Sequence, residues 1–267
     1  MHTQGIRPSG FGYSYIPAVE QYSSGVVADE GYTISRYRFL EPPAVAEAFA
    51  SIEQLLQEWS LPVTALCAFE LRSPEPFTEG GFASFNAEYR KQLDAWGITE
   101  SGDNPVARSN VCPEIDPPSA PSVHAFCVAS PSSEPGPRAF VVSGSAESPE
   151  GQGSYEEGAL DAGDTSPQAI ERKSAWVMGE MERRLGLLGQ GWHDVAVAQV
   201  YTVHPFHTAM ASSLRPAVAP GSPVAWYYCR PPVQGLEFEM DCRRVAGEQL
   251  IGDGATSSRR TTPTGGG

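Results

Sequence analysis

The sequence predicts an α+β fold made of two consecutive β-α-β-α-β-β units, with helices packed on one face of each sheet. Three observations predict it. The stretch at residues 104–118, NPVARSNVCPEIDPP, has a weaker echo at residues 222–232, SPVAWYYCRPP. A pattern that recurs in one chain marks a folding unit used twice. Each copy is followed by a second strand-like run, SVHAFCVA at residues 122–129 and LEFEMDCRRV at residues 236–245. Between the halves, residues 130–138 (SPSSEPGPR) have the proline and serine content of a linker. Strand-like runs separated by helical periodicity then imply an α+β layer.

Taken in order, residues 1–12 read as a flexible arm. The alternating run YTISRYRFL at residues 32–40 is the first strand. Pro42 and Pro43 open a helix whose apolar residues Val45, Phe49, Ile52, Leu55 and Leu56 recur at helical spacing. Residues 62–71, PVTALCAFEL, form a buried strand. A second helix covers about residues 78–96, with Phe82, Phe85, Tyr89 and Leu93 on one face. Two strands complete the first unit, assigned to residues 13–130, before a linker at 131–137. The second unit, residues 138–248, restarts with RAFVVSGSAE. An acidic loop at residues 150–166 is long enough for an insertion or a lid. Ser166 and Pro167 then cap and begin a helix over residues 168–188, stopped by Gly189 and Gly191. Strand DVAVAQVYTV, a short helix at residues 206–214 and the last two strands follow. Residues 249–267 read as a disordered tail.

The formal net charge of −14 over 267 residues argues against nucleic acid, which needs a basic face. It also means that an anionic substrate needs a local arginine cluster working against the global field. No apolar run approaches the ~18 residues of a membrane span, and the N-terminus lacks the layout of a signal peptide. A cytoplasmic protein is therefore expected. Cys67, Cys112, Cys127, Cys229 and Cys242 contain no C-x-x-C pair and read as buried reduced thiols. His193, His204 and His207 do not have a metal-ligand spacing, and GSAESPEGQGS does not match a phosphate loop. No metal and no cofactor are expected.

Several motifs, in order, resemble those of the RidA (YjgF) superfamily of enamine/imine deaminases. QYSSGVV resembles the superfamily's opening motif, FVVSGSAE its first strand, PVARSNV its arginine strand and LEFEMD its final acidic strand. GEMERRLGLLGQGW, QVYTVH, ARSNVCPEIDPP and CRPPVQGLEFEMDCR together resemble the 2-aminomuconate and 2-amino-5-chloromuconate deaminases, tandem relatives of RidA. The resemblance covers roughly residues 11–246. It implies a chorismate-mutase-like fold, homo-oligomers that are commonly trimers, and sites at interfaces between units. Two departures stand out. The first unit keeps Arg108 but has SVHAFC, with His124, in place of the final-strand glutamate. The second keeps its acidic residues but has Ala225 or Trp226 in place of the arginine. Each unit alone thus lacks half of a site.

Hydrolytic deamination of an enamine requires a group that holds the substrate carboxylate beside the C=N carbon and a base that positions water. Arginine suits the first because its planar fork binds a carboxylate bidentately. A carboxylate suits the second. Arg108, costly to bury unpaired in an apolar strand, is the expected clamp; a structural salt bridge is the alternative. Glu237, Glu239 and Asp241 alternate and so face one side of their strand, either as a site or as a solvated face. Glu239 is the first choice for the base and Glu237 the second. Arg230 at a strand end can hold a second carboxylate or sit exposed in a turn. Glu114, with Asp116, can order its loop or join the site, and Tyr22 can line the pocket.

The expected partner is a small carboxylate substrate, without nucleic acid or membrane. The expected function is hydrolysis of a small acidic enamine or imine to ammonia and a 2-oxo or 2-hydroxy dienoate. A chorismatase-like enzyme acting on an enol ether, and a non-catalytic ligand-binding relative, are the alternatives.

Overall fold

The computed structural model describes residues 5–99, 102–149 and 153–252. The first half supplies β1 (Arg7–Pro8), β2 (Tyr13–Ile16), β3 (Gly25–Ala28), β4 (Tyr32–Phe39), α1 (Val45–Glu58), β5 (Leu66–Arg72), α2 (Glu79–Ala95), β6 (Ala107–Pro113) and β7 (Ser122–Pro131). The second supplies β8 (Phe140–Ala146), the single turn α3 (Tyr155–Gly158), α4 (Pro167–Leu187), β9 (Val197–Tyr201), β10 (Val224–Tyr227), β11 (Cys229–Arg230), β12 (Glu239–Arg244) and β13 (Glu248–Ile251). A short helical stretch at residues 207–217, with a π turn at Met210–Leu214, separates β9 from β10.

Local sequence accounts for the main helices. Apolar side chains of α1 recur so that Ala48, Phe49, Ile52 and Leu56 are buried together. Thr78 caps α2 by accepting the Gly81 N–H, and Ser166 caps α4 by accepting the Ala169 N–H, with Pro167 at its first position.

The repeat is visible in the topology. One sheet runs β11-β6-β5-β7-β4-β13 and the other β1-β2-β3-β8-β12-β9-β10. Within them, β6-β5-β7-β4 and β10-β9-β12-β8 have the same order. The first pair of each is parallel and the others are antiparallel. Helices lie on the outer faces: Phe49, Ile52 and Leu93 over the first sheet, Val177, Met181 and Leu185 over the second. The inner faces pack on each other through residues that include Tyr13, Val26, Ile34, Cys67, Ala107 and Val141. The helix–sheet–sheet–helix layering thus follows the α+β expectation, with helices on one face of each sheet.

The chain termini cross between the halves. β3 pairs with β8, so β2 and β3, which lie within residues 13–130, extend the sheet of the second half. In return, β13 lies parallel to β4 and extends the first. Each exchange covers a sheet edge that would otherwise expose unpaired backbone groups. Residues expected in an arm and a tail therefore include short strands, because each finds an open edge. Of those segments, residues 1–4 and 253–267 lie outside the described residues, as do residues 150–152 of the acidic loop.

A buried charged network also joins the sheets. Glu70 accepts two hydrogen bonds from Arg36, at 2.5 and 2.7 Å, with Arg72 and Arg243 each 3.9 Å away. Arg243 in turn contacts Gln199 and Glu248. All five cysteines are buried and free.

Candidate active site

Alternation along β6 sends Ala107, Ser109 and Val111 to the inter-sheet side and Arg108 and Asn110 to the other. Arg108 is 3% exposed. Its guanidinium carbon lies 4.7 Å from the Tyr22 ring centre and 4.9 Å from that of Tyr89, with Phe82 and Phe85 within 6 Å. These rings stabilise the cation and fix its plane. They are not hydrogen-bond acceptors of the strength a guanidinium needs. Among the described residues Arg108 Nη1 is buried with no hydrogen-bond partner, which is costly unless something else supplies an acceptor.

Two serines stitch this segment together. Ser143 Oγ accepts the Arg108 N–H at 3.0 Å and donates to the Ser23 carbonyl at 2.6 Å. Ser23 N–H donates to the Val106 carbonyl at 2.9 Å. Tyr22, β6 and β8 are thereby held in one register.

Glu239, from the other half of the chain, lines the same cavity as Arg108 and is 4% exposed. It stands over Gly144, where a methyl group would overlap Glu239 Oε1. A glycine is required here for space. Arg184 from α4 donates to the Ser143 and Gly144 carbonyls and to Ser145 Oγ, which fixes this part of β8. The start of β12 is fixed by Glu147, which accepts the N–H groups of Glu237 and Phe238 and pairs with Lys173 at 3.2 Å, both side chains fully buried. Burial first raises the Glu147 carboxyl, while these contacts oppose the shift.

Asn110 and Ser148 complete the polar lining. Ser73 Oγ donates to Asn110 Oδ1 at 3.0 Å, so the amide NH2 is the end left over. Among the described residues Asn110 Nδ2 and Ser148 Oγ are both buried without partners. Three unpartnered donors therefore line one cavity with a carboxylate, an arrangement suited to an anionic group beside a water-binding base.

The structure thus brings Arg108, Glu239 and Tyr22 together and places the other candidates elsewhere. Asp241 lies between the sheets, accepting Ser109 Oγ at 2.7 Å and Tyr201 OH at 2.9 Å. Burial, then the charge of Glu70, raises its carboxyl above the usual range. Glu237 precedes β12 and meets His204 at 2.7 Å and Arg230 at 3.6 Å. Arg230 also pairs with Glu114. Asn110, Gly144 and Ser148 were absent from the sequence reading. Asn110 was findable, since it is two residues from Arg108 on the same strand face; nothing local marked Ser148. Among the described residues no group of three His, Cys, Asp or Glu side chains is placed to hold a metal ion, and no helix is long and apolar enough to cross a membrane.

Two sheets of matching topology, back to back, with an arginine from one half facing a carboxylate from the other, define a tandem α+β protein with its cavity between the repeats. A solved chorismatase structure has the same fold, with a TM-score of 0.51 and 15% identity, covering 87% of this chain and 81% of that one. The E. coli YjgF gene product aligns with 40% of this chain and 80% of its own, at 13% identity and a TM-score of 0.31. The chain belongs to the family of the 2-aminomuconate deaminase CnbZ, whose model matches residues 6–249. It is 42% identical over 241 residues to the 2-amino-5-chloromuconate deaminase of Comamonas testosteroni, covering 90% of this chain and 96% of that protein.

Proposed function

We propose that this protein hydrolyses the C=N bond of a small acidic enamine or imine of the 2-aminomuconate type, between Arg108 and Glu239. The observation that carries the site is the buried Arg108 Nη1, which among the described residues lacks an acceptor, in a cavity shared with a carboxylate from the other half. The substrate's carboxylate would supply that acceptor. The enamine tautomerises to the imine by protonation at carbon, and water adds to the C=N carbon. Glu239 takes a proton from that water and returns it to nitrogen. The C–N bond of the carbinolamine then breaks as its hydroxyl proton passes to the amine nitrogen, releasing ammonia and leaving the oxo acid.

The enclosed part of the cavity is about 40 Å³, room for a few waters. It therefore fits a carboxylate and the adjoining C=N carbon rather than a whole six-carbon acid, whose remaining carbons would extend outside this enclosed part. Ammonia release from 2-aminomuconate by the purified protein, absent from a blank without enzyme, tests the proposal; no release from any 2-aminodienoate would refute it. The likeness to chorismatase concerns the fold alone.

Arg108→Lys keeps the charge but loses the planar fork. It is expected to lower kcat/KM on a carboxylate substrate by roughly 100-fold, the cost of a displaced reacting group, with little change in Tm. Near-wild-type kcat/KM would remove Arg108 from the carboxylate clamp. Gly144→Ala is expected to push the Glu239 carboxylate aside and lower kcat roughly 10- to 100-fold. The added methyl should also cost about 1–3 kcal/mol of stability. An alanine variant with full activity would show that Glu239 does not need its present position.

We further propose a homotrimer in the cytoplasm. Five buried free thiols fit a reducing compartment. Trp226 on edge strand β10 and Leu250 on edge strand β13 are large apolar side chains left exposed. Light scattering on the purified protein tests the assembly, and a monomeric mass would exclude it.

A further inference from the structure

We propose that a second carboxylate-binding site lies in a separate cleft, between the inner face of the first sheet and the β10–β11 edge, and that it takes a small planar acid. The cleft measures about 630 Å³ and shares no lining residue with the Arg108–Glu239 cavity. That volume falls in the range of about 300–1,000 Å³ typical of small-molecule sites.

Its polar floor is built from buried groups. Arg72 lines it and is 7% exposed. Among the described residues its guanidinium makes one hydrogen bond, from Nη1 to the Leu71 carbonyl at 2.8 Å. Its approach to Glu70, 3.9 Å, is too long for another. Glu70 is already engaged by Arg36 at two oxygens. The Arg72 fork thus retains N–H donors at the cleft.

His124 enters the cleft for a local reason. β7 pairs Ala125 with Glu70 and Val123 with Leu71, so His124 is the extra residue of a β-bulge. Bulges re-aim a side chain, and here the imidazole joins Arg72 and Ser122 in the lining. Burial, then the charge of Arg72, with Arg36 and Arg38 in the same sense and Glu70 opposing, pushes His124 down to about 3. It is therefore a neutral ring with one N–H to donate. Arg38, on the same face of β4 as Arg36, makes no ion pair among the described residues. Three arginines near one imidazole, in a chain of net charge −14, form a local field that favours an anion.

The walls choose the anion's shape. Tyr227 and Tyr228 are 40% and 52% exposed and Ile115 is 69% exposed, all lining the cleft. Flat rings in the lining of the same cleft as a guanidinium suit a conjugated or aromatic carboxylate. Asp116 also lines the cleft but is exposed, so solvent screens it.

Benzoate is a suitable probe because it is planar, carries one carboxylate and has no nitrogen to lose. Calorimetric titration of the full chain is expected to give binding that survives Arg108→Gln within about twofold. Arg72→Gln is expected to weaken it at least about 30-fold, the cost of losing a buried charged partner. Tyr228→Ala, at an exposed position that leaves folding intact, is expected to weaken it about three- to tenfold. If Arg72→Gln does not fold, His124→Ala with Tyr228→Ala carries the same comparison. No benzoate binding by the wild type, or binding lost in Arg108→Gln and kept in Tyr228→Ala, would overturn the proposal. So would a Tyr228→Ala variant that changes oligomeric mass while binding benzoate as before, since the cleft would then be an interface between copies. None of these outcomes depends on whether the protein deaminates.

Discussion

Glu239→Gln is expected to lower kcat for ammonia release by roughly two to four orders of magnitude, with KM changed little. The reason is geometric as well as chemical. Glutamine keeps the length and planarity of the side chain, and it stands over Gly144 just as the carboxylate does. Other contacts also hold the fold around it: Glu147 on the Glu237 and Phe238 amides, and Arg184 on the Ser143 and Gly144 carbonyls. On the proposed mechanism, the substitution removes the group that accepts a proton from water. Substrate binding through Arg108, Asn110 and Ser148 should therefore persist while turnover fails. A fully active variant would place the base elsewhere. Activity kept in Glu239→Gln but abolished in Glu237→Gln would move the role to the carboxylate that now meets His204.

Glu70→Gln is expected to cost about 3–5 kcal/mol of folding stability, because it removes one partner of a buried ion pair. Glu70 is 6% exposed, and Arg36, Arg72 and Arg243 are each under 8%. Neutralising the carboxylate leaves these cations buried with too little counter-charge. Burial alone would raise the Glu70 carboxyl. The hydrogen bonds and charge of Arg36, helped by Arg243 and Arg72, outweigh it and hold the group well below the usual glutamate range.

A folded-state pKa below the unfolded one contributes stability above the unfolded value, about 4.3. That contribution is lost as pH falls further toward the folded value. Wild-type protein should lose stability across this acid range, and Glu70→Gln should flatten the decline. Asp241 has the opposite sign. Its carboxyl is raised, so its ionised form is a penalty at neutral pH that is relieved as pH falls. Asp241→Asn should therefore cost less than about 1 kcal/mol, a net hydrogen-bond value. Denaturant midpoints at constant m-value measure both. Equal losses in the two variants would show that the network is held by packing rather than by charge.

Much of the architecture was readable from local pattern. The repeated PVA stretches, the helical spacing of Phe49, Ile52 and Leu56, and the Ser166–Pro167 start of α4 depend on neighbours a few residues away, and the structure has elements at those places. Alternation likewise put Glu239 and Asp241 on one side of β12, while Phe238 and Met240 entered the core. That much follows from the two-residue period of a strand.

The partner of each side chain was decided only by tertiary structure. β12 begins at Glu239, so Glu237 leaves the ladder and turns to His204 and Arg230. Asp241, one repeat further along, falls against Ser109 of the facing sheet and Tyr201 of the neighbouring strand β9. Glu239 alone of the three reaches the cavity of Arg108, 131 positions earlier in the sequence. The crossing of β3 onto β8 and of β13 onto β4 has the same origin. Short-range periodicity determines which face a side chain occupies; which groups meet there depends on how two sheets pack and register. That is a long-range choice made by burying apolar area and pairing open edges, and no window of neighbouring residues contains it.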